Sequence, residues 1–128
     1  MAKRILVVDD DPDFLAQLAI GLQARGLEVV QAESLARARQ LLASARPDLA
    51  IVDLMLENLD GGFTLCHLIK KADPSIPIIL VTSVTPETGL DFDAATEEER
   101  SWIKADVRLG KPVSFETVYR EIQRLLPD

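Results

Sequence analysis

Apolar and polar positions fall in blocks along the chain. Three blocks are short and almost continuously apolar: "RILVVD" at 4–9, "LAIVDL" at 49–54 and "IPIILVT" at 76–82. Continuous, β-branched runs of this length read as strands covered on both faces. "LEVVQA" at 27–32 and "DVRLG" at 106–110 are weaker strand candidates. Between these blocks the apolar spacing turns helical. Phe14, Leu15, Leu18 and Leu22 mark a helix from Pro12 to Arg25. "SLARARQLLASA" at 34–45 opens on a serine cap and ends before Pro47, and "GFTLCHLIKKA" at 62–72 ends before Pro74. A last helix runs from Ser114 to about Leu126, with Phe115, Val118, Ile122 and Leu125 on one stripe. "TEEE" at 96–99 is a capping-box pattern that predicts a short helix from about Glu97 to Lys104. Strands alternating with helices predict an α/β fold, a doubly wound, five-stranded parallel sheet with helices on both faces and right-handed crossovers.

Length and composition narrow the function. At 128 residues the chain is expected to be one domain, spanning 1–128 without an output domain. The net charge of −7 argues against a nucleic-acid binder, which needs basic surface to meet phosphates. The longest apolar stretches are far too short to span a bilayer. Lys3 and Arg4 precede one of them, but three aspartates follow at once, unlike a secretory signal. A single cysteine, Cys66, supplies neither a disulfide framework nor a zinc spacing. A cytoplasmic location is expected.

The chemistry gathers at strand ends. In a doubly wound sheet, ligands sit outside the carboxyl ends of the strands, where strand order reverses. The polar residues there are Asp9 and Asp10 after the first strand, Asp53 in the third, Thr82 after the fourth and Lys111 after the fifth. Grouped carboxylates repel one another, and a hard divalent cation removes the repulsion. Mg²⁺ suits such a site because it uses one or two carboxylates together with phosphate oxygens and water. A lysine and a hydroxyl beside it suggest a phosphoryl group, with one carboxylate as nucleophile.

At this point the chain is seen to resemble the response-regulator receiver domains of two-component signalling. The match lies in "VVDDDP" (7–12), "IVDLML" (51–56) with "LDGG" (59–62), "LVTS" (80–83) and "GKPV" (110–113), and it covers essentially the whole length. The resemblance implies a flavodoxin-like sheet of order 2-1-3-4-5. It implies Asp53 as phosphoacceptor, and Asp9, Asp10, Asp53 and the backbone carbonyl of Met55 as Mg²⁺ ligands. Thr82 would bond the phosphoryl group and Lys111 would pair with it. Asp11 precedes Pro12 and reads as a helix cap, and Asp13 lies in a first turn whose dipole favours negative charge. Cys66 reads as a small buried apolar residue, His67 as a partly exposed helix residue, and Lys70 with Lys71 as a solvated helix end.

Three features depart from the family pattern. Glu57 stands four residues after the acceptor, where proline is frequent. Arg108 occupies the position of an aromatic residue that usually swings inward on phosphorylation, and a guanidinium does not bury as a ring does without a partner. Thr82 and Lys111 stand 29 positions apart, several more than usual. The extra residues lie in 85–106, and residues 86–106 hold seven acids against Arg100 and Lys104. Most of the chain's net charge therefore sits in one segment, which reads either as a solvated loop or as a dock for a basic partner. Trp102 is expected to pin this segment to the body.

The resemblance implies a stand-alone receiver. A histidine kinase or histidine phosphotransfer protein would supply the phosphoryl group. The chain would catalyse only its own phosphorylation and dephosphorylation, and would signal to an unknown downstream protein or pass the group on. Met55 and Val84, apolar where the family tunes hydrolysis, imply a long-lived phosphoform. Two alternatives remain at this stage. Asp9-x-Asp11-x-Asp13 resembles the opening motif of haloacid-dehalogenase-type phosphatases, with Asp9 as nucleophile. A scaffold that is never phosphorylated is the other.

Overall fold

The computed structural model describes residues 3–53, 61–82, 106–110 and 113–126, apart from the side chains of Phe63 and Thr82. Along the chain run β1 (Arg4–Val8), α1 (Pro12–Gln23), β2 (Glu28–Ala32), α2 (Leu35–Ser44), β3 (Leu49–Asp53), α3 (Gly61–Ala72), β4 (Ile78–Thr82), β5 (Val107–Gly110) and α4 (Phe115–Leu125). All strand pairs are parallel, in the order β2-β1-β3-β4-β5. This is the flavodoxin-like arrangement expected from the sequence. The helix expected over 97–104 lies outside the described residues.

Local chemistry sets the element ends. Asp11 caps α1, its Oδ1 accepting from the amides of Asp13 at 3.0 Å and Phe14 at 3.5 Å. Ser34 and Ser114 do the same for α2 and α4, accepting from the amides of Arg37 and Thr117. After α1 the Leu27 amide reaches back to the Leu22 carbonyl, and Gly26 adopts φ 82°, the left-handed turn that closes many helices. The fourth strand begins at Ile78 rather than Ile76, because the Ile76 amide is taken by the Asp73 carbonyl and Pro77 has none to give.

The period of two along the strands divides the core. Leu6, Val8, Ala50, Val52, Ile78 and Leu80 face α2 and α3, joining Ala38, Leu65, Cys66 and Ile69. Ile5, Val7, Leu49, Ile51, Ile79 and Val81 face α1 and α4, joining Leu15, Leu18, Leu22, Val118 and Ile122. Each fully buried Leu or Ile contributes about 1.5–3 kcal/mol over its exposed state. Among the described residues no helix is long and apolar enough to cross a membrane.

At the amino ends of the strands, polar side chains tie loops to the sheet. The Arg46 guanidinium pairs with Asp73 and donates to Ser75 Oγ at 2.9 Å. Hydrogen bonds from Ser75 and Arg46 hold the Asp73 carboxyl well below the usual carboxylate range. Lys70 corrects the sequence reading of a solvated helix end. Its Nζ donates to the Ile76 carbonyl at 2.7 Å and the Pro74 carbonyl at 3.3 Å, and pairs with Asp106 Oδ2 at 2.9 Å. Asp106 Oδ2 also accepts from the Ile78 amide, so Lys70 helps fasten the start of β5 to the start of β4. Lys71 is exposed, as expected.

Candidate functional site

Strand alternation explains how two acids come to be buried. Asp9 continues the parity of Ile5 and Val7, and Asp53 that of Leu49 and Ile51, so both belong to the α1 and α4 side of the sheet. They stand at the carboxyl ends of β1 and β3, neighbours in the sheet. The chain runs outward from β1 to β2 and then returns across β1 to β3, so strand order reverses between these two strands. Asp9 is 0% exposed and Asp53 5% exposed, the only buried charged residues among those described. Asp10, the next residue on, is exposed.

One carboxylate oxygen from each of Asp9, Asp10 and Asp53 lies within 4.8 Å of the other two. Asp9 Oδ1 accepts the Asp11 amide at 2.9 Å, and the Asp9 amide donates to the Ala32 carbonyl at 3.1 Å. The first bond fixes the plane of the Asp9 carboxylate. It also ties that carboxylate to the residue capping α1, whose amino end adds positive potential at the rim. The four-aspartate run is therefore divided as the sequence suggested. Asp9 and Asp10 join Asp53, Asp11 caps the helix, and Asp13 lies in its first turn.

Three like charges this close favour a small hard cation. Two oxygens bound to one Mg²⁺ at about 2.1 Å lie at most about 4.2 Å apart, so this set closes on such an ion with small movements or through water. The donor set is all oxygen, which suits Mg²⁺ or Ca²⁺ rather than a thiophilic metal.

The remaining site residues are located in part. Thr82 ends β4 directly opposite Gly110, and Asp53 pairs in register with Val81. The backbone of Thr82 therefore lies one strand over from Asp53. Met55, Lys111, Glu57, Val84, Trp102 and the acidic stretch up to residue 105 lie outside the described residues. Arg108 is exposed on β5, opposite Leu80. Cys66 is fully buried, with burial pushing its thiol up to about 12, and His67 is exposed. The sequence reading missed the packing of α4 on α1. There the Phe115 ring lies against Gly21 beneath the Arg25 guanidinium. The paired Phe115 and Tyr119, four apart on one face, were the only signal available.

Comparison with known proteins agrees with this architecture. The family model described as "Response regulator receiver domain" matches residues 5–121. The heme response regulator HssR of Staphylococcus aureus is 34% identical over 122 residues, which cover 94% of this chain. The chain spans about half the length of the curated relatives it matches. A CheY-like receiver domain protein from Methanospirillum hungatei superposes with a TM-score of 0.82 at 26% identity, covering 99% of this chain and 95% of its own. The response regulator protein TrrA of Thermotoga maritima, solved in complex with Mg²⁺-BeF, gives 0.77 at 28% identity, covering 96% and 98%. With this fold, the reversal point between β1 and β3 and an acid trio gathered there, the chain belongs to the response regulator receiver domain family of two-component signalling.

Proposed function

We propose that this chain is a phosphoacceptor switch in which Asp53 takes a phosphoryl group from a histidine kinase or a histidine phosphotransfer protein. The observation that carries the reading is the meeting of Asp9, Asp10 and Asp53 oxygens within 4.8 Å at the point of strand reversal. Those three side chains, with the Met55 carbonyl, would hold Mg²⁺. When bound, the ion neutralises the acids and the charge on the transferring phosphoryl oxygens.

An oxygen of Asp53 attacks phosphorus as the bond from phosphorus to the donor's imidazole nitrogen breaks. The product is an acyl phosphate on Asp53 and a histidine that recovers its nitrogen lone pair. The Thr82 hydroxyl and the Lys111 ammonium are assigned to the phosphoryl oxygens, a positioning and electrostatic task. The chain thus catalyses its own phosphorylation and dephosphorylation. The phosphoform favours one of two conformations, and a downstream protein that prefers it shifts the population. In this reading Arg108, exposed on β5, reports the change by exchanging ion-pair partners, and the acidic 86–106 segment docks a basic partner. A cytoplasmic setting, where such kinases deliver their phosphoryl groups, completes it.

The TrrA relative supports the reading, since its complex holds Mg²⁺ and a beryllofluoride group. The haloacid-dehalogenase-type alternative, with Asp9 as nucleophile, is not favoured by a family match running over 5–121. The deciding experiment is mass mapping after treatment with acetyl phosphate and Mg²⁺. Label is expected on Asp53 alone and absent from Asp53→Asn. Label on Asp9, or undiminished label on the variant, overturns the proposal.

A further inference from the structure

We propose that Phe115, seated on Gly21, is a positioning residue for Lys111; the inference rests on the role given to Lys111 above. Gly21 lies inside α1, where glycine is the poorest helix former after proline. Its φ is not in the left-handed region, so backbone conformation does not call for it. Space does. A Cβ built on Gly21 would meet three atoms of the Phe115 ring at 2.6, 2.8 and 2.9 Å. The ring thus lies directly on the helix backbone. From the other side the Arg25 guanidinium covers it at 4.6 Å and covers Tyr119 at 4.8 Å, while the two rings stack at 5.8 Å. Arg25 Nη1 also donates to the Gly21 carbonyl at 3.4 Å.

This seat holds the first turn of α4, and the turn is coupled tightly to Lys111. Gly110 is fixed in register opposite Thr82. Val113, packed on the same core cluster as Phe115, is the next described residue. Only Lys111 and Pro112 join these two anchors, and proline removes a rotatable angle from so short a link. Lifting Phe115 by one methyl group shifts the downstream anchor while the upstream one stays. The acids are untouched, because they sit on β1, β3 and the rim before α1. The seat therefore acts on the phosphoryl-pairing lysine without acting on the cation site.

The test measures the labelling rate of the full chain at saturating acetyl phosphate, beside its Mg²⁺ affinity by calorimetry. Gly21→Ala is expected to slow labelling of Asp53 about tenfold and to change Mg²⁺ affinity less than about twofold, since small misplacements are costly in a positioning reaction. Phe115→Ala, which empties the seat without crowding α1, should show the same split. In the Gly21→Ala background, Phe115→Leu leaves room for the added methyl and should restore most of the rate. Wild-type labelling in both folded single variants overturns the proposal. So does a parallel loss of Mg²⁺ affinity, or failure of the double variant to recover. A natural chain that takes no label on Asp53 overturns the parent reading and the seat with it. A labelled natural chain with insensitive variants removes the seat alone.

Discussion

Replacing Asp53 by asparagine removes one of three crowded charges at nearly constant shape, and its effect on stability is expected to change sign with metal. Two unit charges 4.8 Å apart repel by about 3.5 kcal/mol at an effective dielectric of about 20. Asp53 faces two such neighbours. Asp10 is exposed and contributes the smaller share, and the Asp11 amide already stabilises the charge on Asp9. A net gain of about 1–3 kcal/mol is therefore expected for Asp53→Asn without metal, allowing for screening by water and hydrogen bonds. For a chain of this length each kcal/mol corresponds to about 3–5 °C in melting temperature. With free Mg²⁺ at about a hundred times its dissociation constant, the natural chain gains about 2.7 kcal/mol. The variant, with a weaker third ligand, gains much less. The assay is thermal unfolding followed by circular dichroism, in chelator and in saturating Mg²⁺. The variant should melt higher in chelator and lose that advantage in Mg²⁺. The size of its advantage also reports on Lys111, because an ammonium paired with Asp53 would cancel part of it. Equal melting in chelator refutes net repulsion at the trio, and an equal Mg²⁺ shift in both proteins refutes Asp53 as a ligand.

Asp11→Ala should cost about 0.5–2 kcal/mol in urea unfolding, as loss of a helix cap does, and leave Mg²⁺ affinity unchanged, because the amide serving Asp9 remains. Loss of metal affinity comparable with Asp10→Ala would contradict this division of labour. Cys66 should make the fold sensitive to alkali. Its folded thiol is raised from 9.0 to about 12, chiefly by burial, so the contribution is intact below pH 9 and lost as pH rises toward 12. About 1.4 kcal/mol should be gone by pH 10, and Cys66→Ala should lack this fall between pH 8 and pH 10. Lastly, decay of the phosphoform in Mg²⁺ buffer should be slower in the natural chain than in a Met55→Asn, Val84→Glu variant, which can orient an attacking water. Equal decay would dismiss apolar shielding.

The legible parts of this protein are those written locally. β1, β3 and β4 are unbroken apolar runs, and a parallel sheet buried on both faces demands such runs. Asp11, Ser34 and Ser114 cap helices because their side chains reach only a few residues ahead, so spacing reveals them. The acids could be grouped because strand ends converge in this topology. Contacts between distant residues were not legible. Lys70 looked like any lysine in a last helical turn, yet its partner Asp106 is 36 positions away. Gly21 and Phe115 are further apart still, and neither interrupts a local pattern strongly enough to announce the other. The buried state of Asp9 and Asp53 follows from strand parity, which becomes usable only once the first inward-facing residue is known.

The exposed guanidinium of Arg108 has another consequence, which concerns other copies of the chain. The outermost strands of the sheet, β2 and β5, each have one flank without a strand partner. Such flanks invite a second molecule to add a strand, the first step toward insoluble stacking. β2 places Glu28 and Gln31 at exposed positions, and β5 is only four residues long with Arg108 exposed near its middle. A charge that must keep its water resists being sandwiched between sheets, and a short strand offers few bonds to a newcomer. An aromatic side chain at 108 would restore the family's usual residue and, in the same step, strip the guard from this flank.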